Sequence, residues 1–439
     1  MKVNFEIHES HLPVFEDTSW RYAILMGGRG NGRSGTASRH VISSLLGKGF
    51  TRGALMRATR EDIRTSSWKD TKDRIVEQDI ESQFKIMENA MLIENGKNSV
   101  RAHGFRASSG SLTARLKSLA DYNYAWIEEA EEIGEDEFRI FDDSLRTKKG
   151  KIRIILTLNT PPKTHWIIKK WFNLEASEEE GFYVPVIKPN SNAIYIGGDY
   201  KENKPNLDEQ TIGQYENYKK TKPAYYWQMI KGLCPETLLG KIFDGWQVID
   251  KIPHEARLER RYLDFGFTND FTAIGDLYYY NGGYIIDELL YQKGLSNKKI
   301  ADVLLGQPEQ TLVVADSAEP KSIAEIKDYG VNIVGVAKTP GESKNVGFVK
   351  WSIGVVQQEK ISVTSRSKKI WGEYDNYSWL IDKNGDVLNV ENPKCENHHM
   401  RGIAYGLCNL TPIKKRQQLR REIGRNLWND QQKTQTNPV

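Results

Sequence analysis

An α/β protein made of two mixed units is the fold class the sequence predicts, and three observations predict it. The first half alternates short apolar strands with helical stretches, the pattern of a mainly parallel sheet flanked by helices. The second half opens with strands separated by an Asn281-Gly282-Gly283 turn, an antiparallel hairpin signal, and then alternates helix and strand. The chain has 439 residues, too many for one ordinary core and enough for two.

In the first half, strands are expected at Tyr22–Met26, Gly53–Arg57, Tyr124–Glu128 and Arg153–Leu158, and helices at Ser34–Leu46, Asp62–Glu77 and Glu135–Ser144. Residues 1–165 make this core. Residues 166–255 change to aromatic and polar segments between prolines and glycines, read as a subdomain and linker. Residues 256–412 form the second unit, whose meander of RYLDFGF, FTAIGDLYYY and YIIDELLYQ followed by alternation fits an RNase H-like fold. Residues 413–439 are a basic, polar tail carrying KKRQQLRREIGR.

Composition bounds the class without deciding it. Hydrophobic residues make up 38% and charged residues 27%, with 11 Trp, 20 Tyr and 14 Phe, which is a globular profile. A net charge of +4 neither demands nor excludes a nucleic-acid partner. Cys234, Cys395 and Cys408 are odd in number and far apart, so neither a disulfide framework nor a zinc site is indicated. No run has the length to cross a bilayer and the polar start lacks an apolar signal region, so no membrane association is expected and the compartment is read as cytoplasmic.

The strand RYAILM runs into GGRGNGRS and then a helical stretch, the strand, loop and helix context of a P-loop. Gly27, Gly28, Arg29, Gly30, Asn31, Gly32, Arg33 and Ser34 would wrap phosphate oxygens with backbone N–H groups, the helix N-terminus would add positive potential, and the Ser34 hydroxyl would hold Mg²⁺. Arg33 stands where a lysine is usual; it keeps the charge but is planar and bulkier. Downstream, the apolar strand YAWI ends in Glu128-Glu129, as expected when one carboxylate orients Mg²⁺ and the next activates water. RIILTLNTPP then offers Thr157 and Asn159 as polar groups able to sense the γ-phosphate. The ligand read from this set is ATP with Mg²⁺.

A second set of carboxylates follows. Asp264 ends the strand Arg261–Asp264 and Asp316 ends TLVVAD, each after an apolar strand and before a loop, where nuclease carboxylates hold divalent metal. Asp287 and Glu288 lie between them in the chain, on the hairpin.

GGRGNGRS, WIEEAEEI, LTLNTPP, GGDYKENKPNLDE and YWQMIKGLCPETLLGKIFDGW resemble, in order and spacing, the ATPase half of tailed-phage terminase large subunits. The resemblance implies an N-terminal P-loop ATPase domain and a C-terminal RNase H-like nuclease domain. By it Glu128 is the Mg²⁺ ligand, Glu129 the catalytic carboxylate, Arg29 an arginine assisting phosphate chemistry, and Thr157 to Asn159 the coupling motif. YLDFGFTND and LVVADSAEP resemble the first two acidic nuclease motifs, which makes Asp264 and Asp316 ligands of Mg²⁺ or Mn²⁺. ENHHMRGIAYG resembles the third, but Arg401 stands where the family has a metal-binding aspartate, leaving Glu396 or His398 to complete the set.

Arg57, Arg60, Arg64, Arg115 and Lys117 are candidates for a neighbour-supplied arginine finger or for DNA contact, and Lys338, Lys344 and Lys350 resemble residues bordering a DNA groove. The resemblance further implies ATP-driven translocation of double-stranded viral DNA into a procapsid and endonucleolytic cutting of concatemers. It implies as partners the portal protein, a small terminase subunit and further copies in a ring, a pentamer, on the portal, in the host cytoplasm and not in the mature virion. Two readings compete: a translocase whose nuclease is impaired, motivated by Arg401, and a non-enzymatic prophage remnant, motivated by Arg33 and Arg401 together.

Overall fold

The computed structural model describes residues 5–106, 119, 121–189, 191–266, 270–337, 347–382, 384–408 and 410. The chain divides into two compact units, Met1–Leu239 with Lys383–Asp386, and Gly240–Asp382 with Val387–Val439. Among the described residues no helix is long and apolar enough to cross a membrane.

The first unit is organised by β1 (Tyr22–Gly27), β2 (Arg52–Thr59), β3 (Lys85–Met87), β4 (Leu92–Asn95), β5 (Asn98–Arg106), β6 (Tyr124–Glu128), β7 (Arg153–Asn159), β8 (Phe172–Ala176), β9 (Phe182–Ile187) and β10 (Ala193–Ile196). Eight of these form one sheet in the order β10-β1-β7-β6-β2-β5-β4-β3. Six are parallel from β10 to β5, and β4 and β3 return antiparallel. Both faces are covered, so the central strands are apolar on both sides. Ile24, Met26, Ile127, Leu156 and Leu158 pack into one core, and Ala23, Leu25, Trp126 and Ile155 into the other. A small sheet of β8 and β9 is completed by β11 (Cys234–Pro235).

Two expectations change here. The helix expected over Asp62–Glu77 is two, Arg60–Arg64 and Ser67–Glu77. The Ser66 hydroxyl donates to the Asp62 carbonyl at 2.7 Å and interrupts the ladder, as short polar side chains do when they compete for backbone groups. The second unit begins at Gly240 rather than 256, because β12 (Gln247–Ile249) is an edge strand of its sheet, parallel to β18 (Ile361–Thr364).

That sheet also holds β13 (Arg257–Asp264), β14 (Phe271–Tyr280), β15 (Gly283–Lys293), β16 (Val313–Ala315) and β17 (Ile333–Gly335), in the order β12-β18-β15-β14-β13-β16-β17. The β14–β15 hairpin turns at Asn281 (φ 45°) and Gly282 (φ 79°), the paired left-handed residues that a tight twisted hairpin demands. A separate hairpin joins β19 (Trp379–Ile381) to β20 (Val387–Glu391). The helix His398–Leu407 lays Met400, Ile403, Ala404 and Leu407 into the core over β13 and β14. Asp287 accepts hydrogen bonds from Thr364 at 2.7 Å and Arg366 at 2.8 Å, and Glu288 accepts the Lys369 N–H at 2.9 Å and the Ile370 N–H at 3.2 Å, so both carboxylates serve the fold.

One buried titratable group gives a stability prediction. His40, on the helix Arg33–Leu46, stacks on Tyr124 and shares a 3.1 Å hydrogen bond with its hydroxyl. Burial, with Arg153 adding repulsion, lowers its pKa from 6.5 to about 3. The fold therefore holds the ring neutral. Its contribution is complete above pH 6.5 and is lost as pH falls through the window down to about 3. Denaturation by urea at pH 7.0 and 4.5 is expected to show His40→Gln losing about 3 kcal/mol less than wild type on acidification. Equal losses would remove His40 from the account.

Candidate functional site

Three neighbouring strand ends of the first unit bring its candidate residues together. In the register, Leu25 of β1 pairs with Thr157 of β7, which pairs with Glu128 of β6, and Gly27 pairs with Asn159. The loop Gly27–Ser34 leaves β1 and delivers the helix Arg33–Leu46. Gly30 (φ 78°) and Gly32 (φ 83°) take left-handed conformations that turn successive amides to one side. The Gly28 N–H donates to the Gly198 carbonyl at 3.0 Å and the Arg29 N–H to the Met229 carbonyl at 2.7 Å, so these two amides hold the loop to the chain around it. Those of Gly30, Asn31, Gly32 and Ser34 remain for an anion. The Arg29 guanidinium lies 5.7 Å from the centre of the Tyr225 ring.

Arg33 is turned beneath the loop. Its Nη1 donates to the carbonyls of Gly27 at 2.7 Å and Gly28 at 2.9 Å, and its Nη2 to Asn159 Oδ1 at 2.6 Å. The phosphate-facing placement expected from the sequence is therefore not the one found: a planar fork satisfies fixed carbonyls better than a distant anion. Asn159 in turn donates through Nδ2 to Glu131 Oε1 at 2.9 Å. Glu131 was hidden in sequence by its run of acidic neighbours; burial raises its carboxyl pKa.

Glu128, 9% exposed, accepts the Ser67 N–H at 3.0 Å, and burial raises its pKa. Ser67 is free to donate because the preceding helix breaks before it. Glu129 sits at φ 48°, a left-handed position costly for a residue with a Cβ, and is ion-paired with Arg57. That pairing corrects the reading of Arg57 as a finger for a neighbouring molecule. Thr157 is a second correction: it is buried, and its hydroxyl accepts the Trp126 indole N–H at 2.9 Å, so its side chain serves the core rather than a phosphate. Arg60 donates to the Ala90 carbonyl, Arg64 ends its helix at the surface, and Arg115 and Lys117 lie outside the described residues.

In the second unit, parallel pairing of β13 with β16 sets Leu263 against Ala315, so Asp264 and Asp316 leave adjacent strand ends side by side. Asp264 is 7% exposed and accepts from His398 Nδ1 at 3.0 Å. Burial raises the Asp264 pKa, and the charge of Asp316 raises it further. On His398, burial disfavours charge, but the hydrogen bond and charge of Asp264 prevail and raise its pKa. Asp316 accepts from the Tyr405 hydroxyl at 3.2 Å and the Ala318 N–H at 2.9 Å.

Of the two residues offered as a third ligand, the structure brings His398 to Asp264, whereas Glu396 accepts from Tyr291 at 3.3 Å. Arg401 is ion-paired with Glu391 of β20, which also accepts from the Tyr377 hydroxyl, while its charge still acts on Asp264 and opposes the rise in that carboxyl's pKa. Among the described residues no group of three or more His, Cys, Asp or Glu is spaced to hold a metal ion, so the three-donor set expected from Asp264, Asp316 and either Glu396 or His398 is not found ready-made. Asp264 and Asp316 still fit a divalent cation in their chemistry: two oxygen donors on adjacent strand ends, the inner one short of water, with an imidazole beside it. Lys350 lies on the helix Phe348–Gln357, while Lys338, Lys344 and the basic tail lie outside the described residues.

A parallel-rich sheet with a glycine loop and paired carboxylates, joined to an RNase H-like sheet with its own acidic strand ends, defines a protein with an ATPase domain and a nuclease domain. Residues 20–233 match the family model described as phage terminase large subunit, and residues 264–408 match the terminase RNase H-like domain. The PBSX phage terminase large subunit of Bacillus subtilis (strain 168) is 24% identical over 425 residues, covering 90% of this chain and 93% of that one. The terminase large subunit of Bacillus phage SPP1 is 25% identical over 406 residues, covering 87% and 90%. Among solved structures, the large terminase of thermophilic bacteriophage D6E covers 92% of this chain and 98% of its own at 15% identity and a TM-score of 0.43. The SPP1 nuclease domain with bound Mn covers 37% and 96% at 26% identity and a TM-score of 0.32. The chain belongs to the phage terminase large subunits.

Proposed function

We propose that this chain hydrolyses ATP at Gly27–Ser34 to drive double-stranded viral DNA into a procapsid, and cuts concatemeric DNA at Asp264 and Asp316. The observation that carries the reading is the placement of carboxylates at neighbouring strand ends in both units: Glu128 and Glu129 at the end of β6, beside Asn159 of β7, and Asp264 at the end of β13, beside Asp316 after β16. In the first, the amides of Gly30, Asn31, Gly32 and Ser34 would bind the phosphates, Ser34 and Glu128 would hold Mg²⁺, which offsets phosphate charge, and Glu129 would take the proton of the attacking water once it turns from Arg57. Asn159 carries the coupling role at the end of β7.

In the second, Asp264 and Asp316 would hold Mg²⁺ or Mn²⁺, which lowers the pKa of water and offsets charge on the scissile phosphate. His398 orients Asp264 through its hydrogen bond, and Tyr405 does the same for Asp316. The partners that follow are the portal protein, a small terminase subunit and further copies of this chain in a ring, a pentamer, on the portal, acting in the host cytoplasm.

A second reading, a translocase with a disabled nuclease, is favoured by one observation: Arg401 at the third acidic position. Plasmid cleavage with Mg²⁺ and with Mn²⁺ decides between them. Because Arg401 is held by Glu391, wild type is expected to nick and linearise plasmid, best in Mn²⁺, which accepts an imidazole neighbour more readily than Mg²⁺. Silence of wild type in both metals, with cutting gained in Arg401→Asp, would establish the second reading instead.

A further inference from the structure

We propose that Arg33 is a positioning residue that locks the nucleotide loop to the end of β7, so that loop and coupling segment move as one body, and that it is not a ligand of the phosphates. The inference rests on the reading of Gly27–Ser34 as a nucleotide loop. A lysine at this position ends in a compact ammonium with rotatable donors; a guanidinium presents its donors in fixed directions within one plane. Here the directions are matched. One nitrogen bridges the Gly27 and Gly28 carbonyls, and another meets Asn159 Oδ1 at 2.6 Å. To reach an anion on the amide side of the loop, Arg33 would have to give up all three of these part-buried hydrogen bonds.

The far side of the tie is equally determined. Asn159 uses its oxygen for Arg33 and its nitrogen for Glu131 Oε1, and its backbone N–H also reaches that oxygen at 3.2 Å. Both ends of the Asn159 amide are thus spoken for, and only an amide serves: a carboxylate would face Glu131 without a donor. Glu131 is fixed from its own backbone as well, where its carbonyl meets His165 Nε2 at 3.1 Å. Gly27 and Asn159 are register partners, so the tie runs between adjacent strand ends and spans no flexible chain. A displacement of the loop on exchange of ATP for ADP is passed directly to Asn159 and to the Thr160-Pro161-Pro162 segment that follows it.

The test is a double-mutant cycle on the full chain with Arg33→Lys, Asn159→Ala and both together. Three quantities are read: the melting temperature without nucleotide, the affinities for a fluorescent ADP analogue and for ATPγS, and kcat and KM for ATP. Each single variant is expected to lower kcat about tenfold with KM within about threefold, and the double variant to be no more than about twofold worse than either single. The melting temperatures should show the same non-additivity, and the ratio of ATPγS to ADP affinity should stay within about threefold of wild type in all three. A merely structural role would lower the melting temperature and leave kcat unchanged well below it, which overturns the inference. A selective loss of ATPγS affinity in Arg33→Lys of about tenfold or more, absent in Asn159→Ala, would make Arg33 a phosphate ligand and also overturn it. Failure of wild type to bind either nucleotide would remove the nucleotide-loop reading itself, and the inference with it.

Discussion

Glu129→Gln is expected to slow ATP turnover by about 10²- to 10⁴-fold, the range removed with a general base, while ATP affinity stays within about threefold. The expectation starts from the backbone. Glu129 follows the last residue of β6 in a left-handed conformation that costs on the order of 1 kcal/mol or more, and the fold keeps it there with an acidic side chain. Glutamine preserves length, shape and the ability to accept from Arg57, so the change removes basicity with little else. Glu128→Gln would act differently: Glu128 is buried and accepts the Ser67 amide, so its loss should weaken Mg²⁺-dependent binding along with turnover. Single-turnover hydrolysis with a filter-binding measurement separates the two. Glu129→Gln turning over within tenfold of wild type would exclude Glu129 as the base.

The second large effect is in the other unit. Asp264→Asn should reduce plasmid cleavage by at least about a hundredfold, the scale expected when an anionic ligand worth a few kcal/mol is neutralised. Asparagine keeps an acceptor for His398, so the helix His398–Leu407 should stay in place. ATP turnover in Asp264→Asn is expected to match wild type within about twofold, and cleavage in Glu129→Gln to be similarly spared, because each variant leaves the other acidic set intact. Loss of both activities in either variant would point to misfolding or to one shared site.

Much of this arrangement was legible in the sequence because the strongest signals are strand ends. An apolar run broken by a carboxylate names both the strand and the residue at its mouth; Tyr124–Glu128 and Asp264 were read in that way. The Asn281-Gly282 turn was equally plain, since two consecutive left-handed residues have few alternatives. What stayed hidden depends on direction. β7 is apolar on both faces, so no alternation told that Thr157 points at Trp126 while Asn159 lies at the open end. Glu131 belongs to a run of four acidic residues among five, the composition of a solvated turn, and only tertiary packing buries it. The direction of Arg401 was likewise unreadable, because its partner Glu391 comes from a hairpin whose pairing the sequence left unassigned.

One contact of the nucleotide loop sets a limit on how this sequence can vary. A methyl group added at Gly28 would lie 1.8 Å from the carbonyl oxygen of Ile230, and one added at Gly232 would lie 2.5 Å from the amide nitrogen of Gly28. Backbone meets backbone there, and neither side has a flexible chain end that could yield. In a saturation mutagenesis library sorted only for folded protein, with no nucleotide present, both positions should be depleted of every substitution, alanine included. Glycine at position 28 would thus persist in lineages that had lost ATP hydrolysis altogether, so its presence in a relative records the packing of two chain segments and is no evidence of a working motor.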